Sequence, residues 1–367
     1  MKPERFRFEL APDYSISRII KGGWQLAGGH GRIDTDKAVA DMRRFVESGI
    51  TTFDCADIYT GVEELIGLFL RQSRDRFLRG ELPPVQIHTK YVPDLEKLPS
   101  LRPKDTEGTI DRSLRRLGVE RLDLVQFHWW DFSIPGYVET AIVLEDLRRR
   151  GKIRHVAVTN FDAQHLAELL EAGVPVVADQ VQYSLLDRRP DGDLAKLAGQ
   201  HGIFLLCYGT AAGGFLGKRW LGKPPPSEPM ENRSLIKYRL IIEEFGGWDL
   251  FQELLRTLDT IARRHRPGRD AGGGGGIPVI DITALAVAAV LNRPRVAAVI
   301  VGARNDSHLV NIQAIPSLTL SEHEISRIDE ILSRSPGPKG PVYALERDRE
   351  GRHGRIMKFN LNREPKQ

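Results

Sequence analysis

The strongest constraint on the fold of this chain is a repeated alternation of short apolar runs with helical segments. Eight runs have the length and β-branched content of buried strands, at residues 16–20, 49–53, 85–91, 122–129, 155–160, 176–183, 203–208 and 296–302. Segments with apolar residues at helical spacing separate or follow them, at 36–47, 62–70, 106–117, 137–150, 163–171, 194–199, 250–264, 282–291, 309–314 and 321–332. Strands that alternate with helices in this way predict an α/β fold, the parallel (β/α)8 TIM barrel.

A doubly wound sheet is the competing architecture. It would require a glycine-rich fingerprint of the GxGxxG type after the first strand, and the turn at residues 22–24 does not match it. The pattern is interrupted at 209–248, which contain three consecutive prolines and no clear strand, and at the five glycines of 272–276, typical of a flexible surface insertion. We therefore expect one barrel domain over residues 1–335, with extra helices and a long loop after the seventh strand, and a basic C-terminal extension over 336–367.

Composition and charge limit the classes of partner. The 367 residues are 41% hydrophobic, enough for the core of a large domain, and the net charge is +4. Residues 346–367 hold seven Lys/Arg and four Asp/Glu, so they account for +3 of that charge and leave the body nearly neutral. Neither a nucleic-acid nor a membrane partner is therefore expected. The two cysteines form no CxxC motif, and no apolar run has the length of a signal peptide or membrane span, which favours a cytoplasmic protein without metal or disulfide.

Titratable side chains follow the second, third and fourth predicted strands. Asp54 and Tyr59 come after the second strand, Lys90 ends the third and His128 the fourth. The exits of parallel barrel strands meet at one face, so these four groups are expected to converge. An ion pair with Asp54 would keep Lys90 charged and lower the pKa of Tyr59, which could then act as a general acid. Taken singly, Lys90 is also consistent with a snorkelling surface lysine and His128 with a satisfied core histidine; their joint occurrence favours a site.

These four residues, in this order and at these strand ends, resemble the Asp–Tyr–Lys–His tetrad of the aldo-keto reductases. Further similarity lies at residues 22–25, 151–154, 159–161, 180–187 and 301–305, and the resemblance extends over residues 16–335. It implies hydride transfer from NADPH to an aldehyde or ketone, reversible as alcohol oxidation, with NADH as the alternative cofactor. In that reaction Tyr59 would protonate the carbonyl oxygen, assisted by Lys90 and Asp54, and His128 would orient the substrate.

The resemblance also implies cofactor contacts at the other strand ends. Thr159, Asn160 and Gln180 would hold the nicotinamide carboxamide, and Tyr208 would stack on the nicotinamide ring. Arg304 would meet the 2′-phosphate, which favours NADPH because a guanidinium suits a phosphate dianion. The full predicted set is Gly23, Trp24, Thr159, Asn160, Gln180, Tyr208, Gly209, Thr210, Leu216, Gly302, Arg304, His308 and Asn311.

Three places depart from the family pattern, of which Thr159 in place of the commoner serine is a mild change. Gly209 and Thr210 follow Tyr208 where many relatives have Ser-Pro, and the Glu-Asn pair that contacts adenine in the family has only Asn311 near its place. The glycine-rich segment 213–218 is expected to fold over the cofactor pyrophosphate as a mobile lid that orders on binding.

Three tryptophans are expected to wall the substrate pocket. Trp129 and Trp130 follow His128 directly, and Trp24 follows the first strand. An aromatic wall favours an apolar or ring-bearing carbonyl substrate over a small charged one. Packing of one member of the adjacent pair under the neighbouring loop is an equally good interpretation.

The tail after residue 335 has three interpretations. Its charged stretch is consistent with a solvated disordered end, with an arm packed on the body or on a neighbouring subunit, or with a nucleic-acid contact. Apolar residues within 356–361 weigh against pure disorder. Self-association through this extension is therefore one of the alternatives.

Two functions from other classes remain as alternatives to a reductase. A barrel that binds NADPH but turns over slowly would serve as a redox sensor or regulatory subunit, although the complete tetrad argues against it. A phosphate-binding lyase or aldolase would use Lys90 as a Schiff base, which borohydride would trap. The sequence does not indicate the substrate or the physiological direction.

Overall fold

The fold is a closed parallel barrel preceded by a hairpin. The computed structural model describes residues 5–27, 33–227, 230, 233–265 and 280–362. The hairpin consists of β1 (Arg7–Ala11) and β2 (Tyr14–Ser17), which pair antiparallel. The barrel strands are β3 (Ile19–Gly22), β4 (Thr52–Asp54), β5 (Gln86–Tyr91), β6 (Leu122–Phe127), β7 (Ile153–Thr159), β8 (Val176–Gln182), β9 (Phe204–Tyr208) and β10 (Val296–Gly302). Neighbouring strands pair in parallel and β10 closes the ring on β3, so the predicted TIM barrel is confirmed.

Helices connect the barrel strands and surround them. In chain order they are α1 (Thr35–Glu47), α2 (Val62–Leu78), α3 (Pro103–Leu117), α4 (Tyr137–Arg149), α5 (Ala163–Glu171), α6 (Asp193–His201), α7 (Arg233–Phe245), α8 (Gly247–Arg264), α9 (Ile282–Leu291), α10 (Leu309–Ala314), α11 (Glu322–Leu332) and α12 (Ala344–Arg347). At the start of α11, Ser321 and Glu324 form a capping box. Across the described parts of the chain, no helix has the length and apolar character needed to cross a membrane.

The hairpin closes the N-terminal end of the barrel. The run predicted as the first strand, 16–20, contains the end of β2, a bend at Arg18 and the start of β3, so the division into a hairpin strand and a barrel strand was missed. Tyr14 and Ile16 are buried with residues from the barrel interior, and the Tyr14 hydroxyl lies 3.1 Å from His88 Nε2. Because this end is filled, the carboxyl ends of the strands are left for chemistry.

Helix α7 lies inside the long segment after β9, where no regular structure was expected. Its buried residues repeat every three or four positions, at Leu235, Tyr238, Ile241, Ile242 and Phe245, a helical spacing that the sequence displays. Within the predicted lid segment 213–218, Phe215 and Leu216 are fully buried whereas Gly213, Gly214 and Lys218 are exposed, and its ordering on cofactor binding stays a prediction. The glycine run 272–276 lies outside the described residues.

Residues 336–362, here called the C-terminal arm, pack on the barrel. Glu346 is buried and accepts two hydrogen bonds from Arg189, at 3.0 and 3.2 Å. Further along the arm, the backbone N–H groups of Leu361 and Asn362 donate to the buried Asp94 carboxylate at 2.9 and 3.0 Å. These contacts agree with the interpretation of the tail as a packed arm, whereas contact with a second subunit stays a prediction.

Candidate active site

An ion pair at the carboxyl ends of β4 and β5 forms the centre of the candidate site. Pairing of β4 with β5 sets Asp54 opposite His88, which brings it within reach of Lys90. Lys90 Nζ donates to Asp54 Oδ2 at 2.6 Å and to the Cys55 carbonyl at 3.0 Å, and the two charged side chains are only 7% and 5% exposed. Burial lowers the pKa of Lys90, but the charge and hydrogen bond of Asp54 together with Tyr59 outweigh burial, so the net direction is upward. Lys90 is therefore an ammonium.

Tyr59 lies beside this ion pair. Its ring centroid is 5.1 Å from the Lys90 ammonium and 5.1 Å from the ring centroid of Trp24. Burial raises the pKa of Tyr59, and the Lys90 charge opposes this rise without overcoming it. The direction is opposite to the one expected from the sequence, because that expectation counted the ammonium and not the desolvation of the phenol. The hydroxyl therefore stays protonated at neutral pH, as a proton donor requires.

The second carboxylate oxygen of Asp54 is held by two amide side chains. Gln126 Nε2 and Gln180 Nε2 donate to Asp54 Oδ1 at 2.9 and 2.6 Å. Gln126 is fully buried within β6 and was missed, although a glutamine inside an apolar strand is a visible signal in the sequence. Gln180, predicted to hold the nicotinamide carboxamide, commits its nitrogen to this network and keeps its amide oxygen for a ligand.

His128 reaches the same face from the end of β6. Its Nδ1 lies 3.1 Å from the Thr159 carbonyl oxygen, which can only accept, so Nδ1 carries the hydrogen. Nε2 is then an acceptor, and it has no hydrogen-bond partner within the described chain. Burial lowers the pKa of His128 to about 3, and the nearby Arg347 charge acts in the same direction. The imidazole is therefore neutral and can accept a hydrogen bond from a ligand.

The predicted nicotinamide contacts lie together at the ends of β7, β8 and β9. Asn160 has a left-handed backbone, with φ 62°, and its Oδ1 accepts a hydrogen bond from the Tyr208 hydroxyl at 2.8 Å. This bond leaves the amide nitrogen of Asn160 to donate to a ligand. The Thr159 hydroxyl donates to the Gln180 carbonyl at 2.9 Å, which ties the ends of β7 and β8 together.

At two of the predicted cofactor-binding glycines, the neighbouring atoms leave no space for a side chain. A Cβ on Gly23 would lie 2.7 Å from the Asp54 carbonyl oxygen, and one on Gly302 would overlap the side-chain amide of Gln25. Because Gly23 has no side chain, the end of β3 packs closely on the end of β4, and the Gly23 N–H donates to the Asp54 carbonyl at 2.8 Å. A side chain at either position would displace neighbours that line the mouth of the barrel.

The predicted contacts at the adenosine end share one connection, from β10 to α10. Arg304 and His308 are exposed there, and Asn311 is half-buried. Leu216 differs from the rest of the predicted set. It is fully buried, its N–H donates to the Ala211 carbonyl and its carbonyl accepts from Thr283, so it offers no polar atom to a cofactor in this arrangement.

The three predicted pocket tryptophans have different surroundings. Trp24 is 37% exposed, and the Trp130 ring meets the His128 ring edge-on at 4.4 Å, so both contact the tetrad. Trp129 is fully buried, and its Nε1 donates to the Ile134 carbonyl at 3.0 Å. Trp129 therefore packs under the loop after β6 and does not wall the pocket, which corrects the expectation. The cause is the alternation of side-chain direction along an extended chain, which turns adjacent residues to opposite sides.

Three residues that the sequence analysis missed complete the surroundings of the tetrad. Helix α7 sets Lys237 Nζ 5.2 Å from the Tyr208 ring centroid, and it places the Tyr238 hydroxyl so close to Gly209 that a Cβ on Gly209 would overlap it. Gly209 and the buried Thr210 behind it are thus covered by α7. From the C-terminal arm, the Tyr343 ring meets His128 edge-on at 5.5 Å. No local spacing in the sequence indicates that α7 and the arm reach the barrel mouth.

The chain is similar to known proteins over nearly its whole length. The model of the Aldo/keto reductase family matches residues 18–333. The aldo-keto reductase YhdN of Bacillus subtilis is 27% identical over 341 residues, which cover 91% of this chain and 96% of that protein. The NADH-specific methylglyoxal reductase of Escherichia coli (strain K12) is 29% identical over 225 residues, which cover 56% of this chain and 66% of that protein.

Solved structures share the barrel. The glycerol dehydrogenase AKR11B4 from Gluconobacter oxydans has a TM-score of 0.72 at 24% identity and covers 93% of this chain and 99% of its own. An aldo-keto reductase from Klebsiella pneumoniae, in complex with NADPH, has a TM-score of 0.65 at 22% identity and covers 91% of this chain and 96% of its own. These likenesses show the fold. Because the family model spans the whole barrel, from the first barrel strand through the helix after the last, the chain belongs to the aldo/keto reductase family.

Proposed function

We propose that this protein transfers a hydride from NADPH to the carbonyl carbon of an aldehyde or ketone, and that it also runs the reverse alcohol oxidation. The observation that carries the proposal is the convergence of Asp54, Tyr59, Lys90 and His128 at three adjacent strand ends, with Lys90 Nζ 2.6 Å from Asp54 Oδ2. NADPH is favoured because a Klebsiella pneumoniae structure with this fold binds it, and NADH stays the alternative because the methylglyoxal reductase relative is NADH-specific.

The residues at the barrel mouth fit a nicotinamide cofactor. A carboxamide has one donor and one acceptor group, and the Asn160 amide nitrogen and the Gln180 amide oxygen complement them. Tyr208 is half-buried and offers an aromatic ring, and the buried Gln25 Oε1 has no hydrogen-bond partner within the described residues. The exposed Arg304 would pair with the 2′-phosphate of NADPH. The bound cofactor would supply the hydride.

The proton would come from Tyr59. Its hydroxyl is protonated at neutral pH and would donate to the carbonyl oxygen as negative charge develops there. The Lys90 ammonium, 5.1 Å from the Tyr59 ring, would stabilise the resulting phenolate, and Asp54 would hold that ammonium in place.

His128 would orient the substrate through an acceptor and not through a donor. Its Nδ1–H is committed to the Thr159 carbonyl, so Nε2 would accept a hydrogen bond from a hydroxyl. This tautomer favours substrates that carry a hydroxyl near the carbonyl. Two similar proteins are named for compounds that carry hydroxyl groups. They are the glycerol dehydrogenase from Gluconobacter oxydans and the L-glyceraldehyde 3-phosphate reductase of Escherichia coli (strain K12).

The charge of Lys90 argues against the aldolase alternative. A Schiff base forms from a neutral amine, and the buried pair with Asp54 keeps the lysine protonated. The redox-sensor alternative is separated from the reductase by turnover, because a sensor would bind NADPH without consuming it in the presence of carbonyls.

The test is NADPH consumption against a carbonyl panel of methylglyoxal, glyceraldehyde, dihydroxyacetone and benzaldehyde. Tyr59→Phe is expected to lower kcat roughly 100- to 10,000-fold and to leave NADPH binding intact, since it removes only the acid. Tyr14→Phe is the matched control, because it deletes a buried phenol that contacts His88 at the opposite end of the barrel. Turnover in Tyr59→Phe within a few-fold of the wild-type rate would remove the proton-donor assignment.

A further inference from the structure

The C-terminal arm crosses the carboxyl ends of four successive barrel strands. It lies beyond residues 18–333, where the family model ends. Glu346 contacts Arg189 after β8, and Asn362 Nδ2 donates to the Val92 carbonyl after β5 at 2.7 Å. Between these anchors, Arg347 contacts the residues that follow β6 and β7. The arm is therefore in contact with the face that carries the tetrad.

Arg347 joins two of these strand ends through hydrogen bonds to backbone carbonyls. Its Nη2 donates to the Trp129 carbonyl at 3.1 Å and to the Asn160 carbonyl at 2.7 Å. Trp129 follows His128 directly, and Asn160 accepts the hydrogen bond of Tyr208 from a left-handed backbone. A single nitrogen thus links the strand end that bears His128 with the strand end that bears the predicted nicotinamide contacts.

The cost of this arrangement argues against a purely structural role for the arginine. Its Nε and Nη1 are buried and have no hydrogen-bond partner within the described residues. Buried donors without partners destabilise a fold, and an apolar side chain packed over the Phe132 ring, where the guanidinium now lies at 4.2 Å, would avoid that cost. The neighbouring Glu346 already anchors the arm through its two hydrogen bonds to Arg189.

We propose that Arg347 is a positioning residue of the active site. By holding the carbonyls of Trp129 and Asn160 on one nitrogen, it fixes the placement of His128 relative to Asn160 and Tyr208, and so the substrate relative to the nicotinamide. This inference rests on the reductase function proposed above. It makes the arm a working part of the site in this chain, although the arm lies outside the span that defines the family.

The test compares Arg347→Ala and Arg347→Lys in the full chain with Arg349→Ala. Arg349 is the matched control, because it is an exposed arginine of the same arm whose ion pair with Asp131 spans 3.8 Å. Arg347→Ala is expected to keep the fold, to lower kcat roughly 10- to 100-fold and to weaken NADPH binding about tenfold, since both ligands depend on the bridged strand ends. Added guanidinium ion at millimolar concentration is expected to restore part of kcat. The kcat and NADPH affinity of Arg347→Lys should lie between those of Arg347→Ala and the wild type, and those of Arg349→Ala should match the wild type.

The outcomes separate this inference from the reductase proposal. If Arg347→Ala changed only the melting temperature, with kcat and the NADPH dissociation constant within twofold of wild type, a structural role would replace the positioning role. If Arg347→Ala failed to fold, kcat and the NADPH dissociation constant of Arg347→Lys would distinguish the positioning role from the structural role. If the wild-type protein reduced no carbonyl, the reductase proposal would fail alone. NADPH binding and the ¹⁵N signal of the His128 Nδ1–H group, expected to shift in Arg347→Ala and not in Arg349→Ala, would still test the positioning.

Discussion

Replacement of Asp54 by asparagine should be strongly destabilising, because it removes the countercharge of a buried ammonium. The Lys90 Nζ to Asp54 Oδ2 distance is 2.6 Å and the side chains are 7% and 5% exposed, so solvent screens the pair weakly. At that separation, and at an effective dielectric constant of about 20, two unit charges attract by roughly 6 kcal/mol. Because Asp54→Asn leaves Lys90 desolvated with a neutral amide and the Cys55 carbonyl, we expect a loss of about 3–5 kcal/mol in the free energy of unfolding.

A double-mutant cycle with Lys90→Met isolates the pair. Lys90→Met leaves Asp54 with two amide donors, Gln126 and Gln180, so its carboxylate is better satisfied than the lone ammonium would be. The double variant Asp54→Asn, Lys90→Met should therefore be more stable than the sum of the single effects predicts, by about 2–3 kcal/mol. Urea unfolding followed by far-ultraviolet circular dichroism measures all four proteins at neutral pH.

The surface pair of Arg150 with Glu107 is the control for this cycle. It has the same 2.6 Å separation, but its side chains are 48% and 32% exposed, so water screens it and little coupling is expected. A cost of Asp54→Asn below about 1 kcal/mol, or additivity of the Asp54–Lys90 cycle within about 0.5 kcal/mol, would contradict a strongly coupled buried pair. Either result would mean that the buried site is wetter or more adaptable than its geometry indicates.

Three further predictions concern pH, a close backbone approach and the tryptophans. Burial raises the pKa of Tyr59, and the acid form is the active one, so kcat/KM for carbonyl reduction should be level from pH 6 to 9 and fall only above about pH 10; a fall centred near pH 7 would contradict this. Gly23→Ala places a Cβ 2.7 Å from a backbone carbonyl oxygen of β4 and should cost about 1–3 kcal/mol of stability, whereas Gly108→Ala in α3, with nothing within 4 Å, should be neutral or stabilising in the same urea titration. Trp129→Ala should cost about 3–5 kcal/mol because it empties a fully buried site, while Trp24→Ala should change KM more than stability; equal melting temperatures for the two variants would contradict the assignment.

Much of the barrel follows from local pattern. Strand β10 and helices α5, α9 and α10 match the predicted ranges, because β-branched runs and helical spacing are properties of consecutive residues. The break between β2 and β3 was missed for the same reason: residues 16–20 have the local pattern of one strand, and only pairing partners distinguish a hairpin strand from a barrel strand. Helix α7 was missed despite a readable spacing, because the surrounding prolines and glycines suggested a loop.

The sequence by itself determined the order of the strands, and hence that Asp54, Tyr59, Lys90 and His128 meet at one face. Parallel pairing converts position along the chain into position around the barrel, so residues at strand ends converge whatever lies between them. The tertiary structure alone decided what surrounds these groups. The net direction of the Tyr59 pKa depends on burial, the hydrogen on His128 depends on the Thr159 carbonyl, and the arrival of the C-terminal arm depends on contacts that no local pattern encodes. Long-range contacts of this kind are set by packing and charge pairing in three dimensions, which a linear pattern of residue types does not specify.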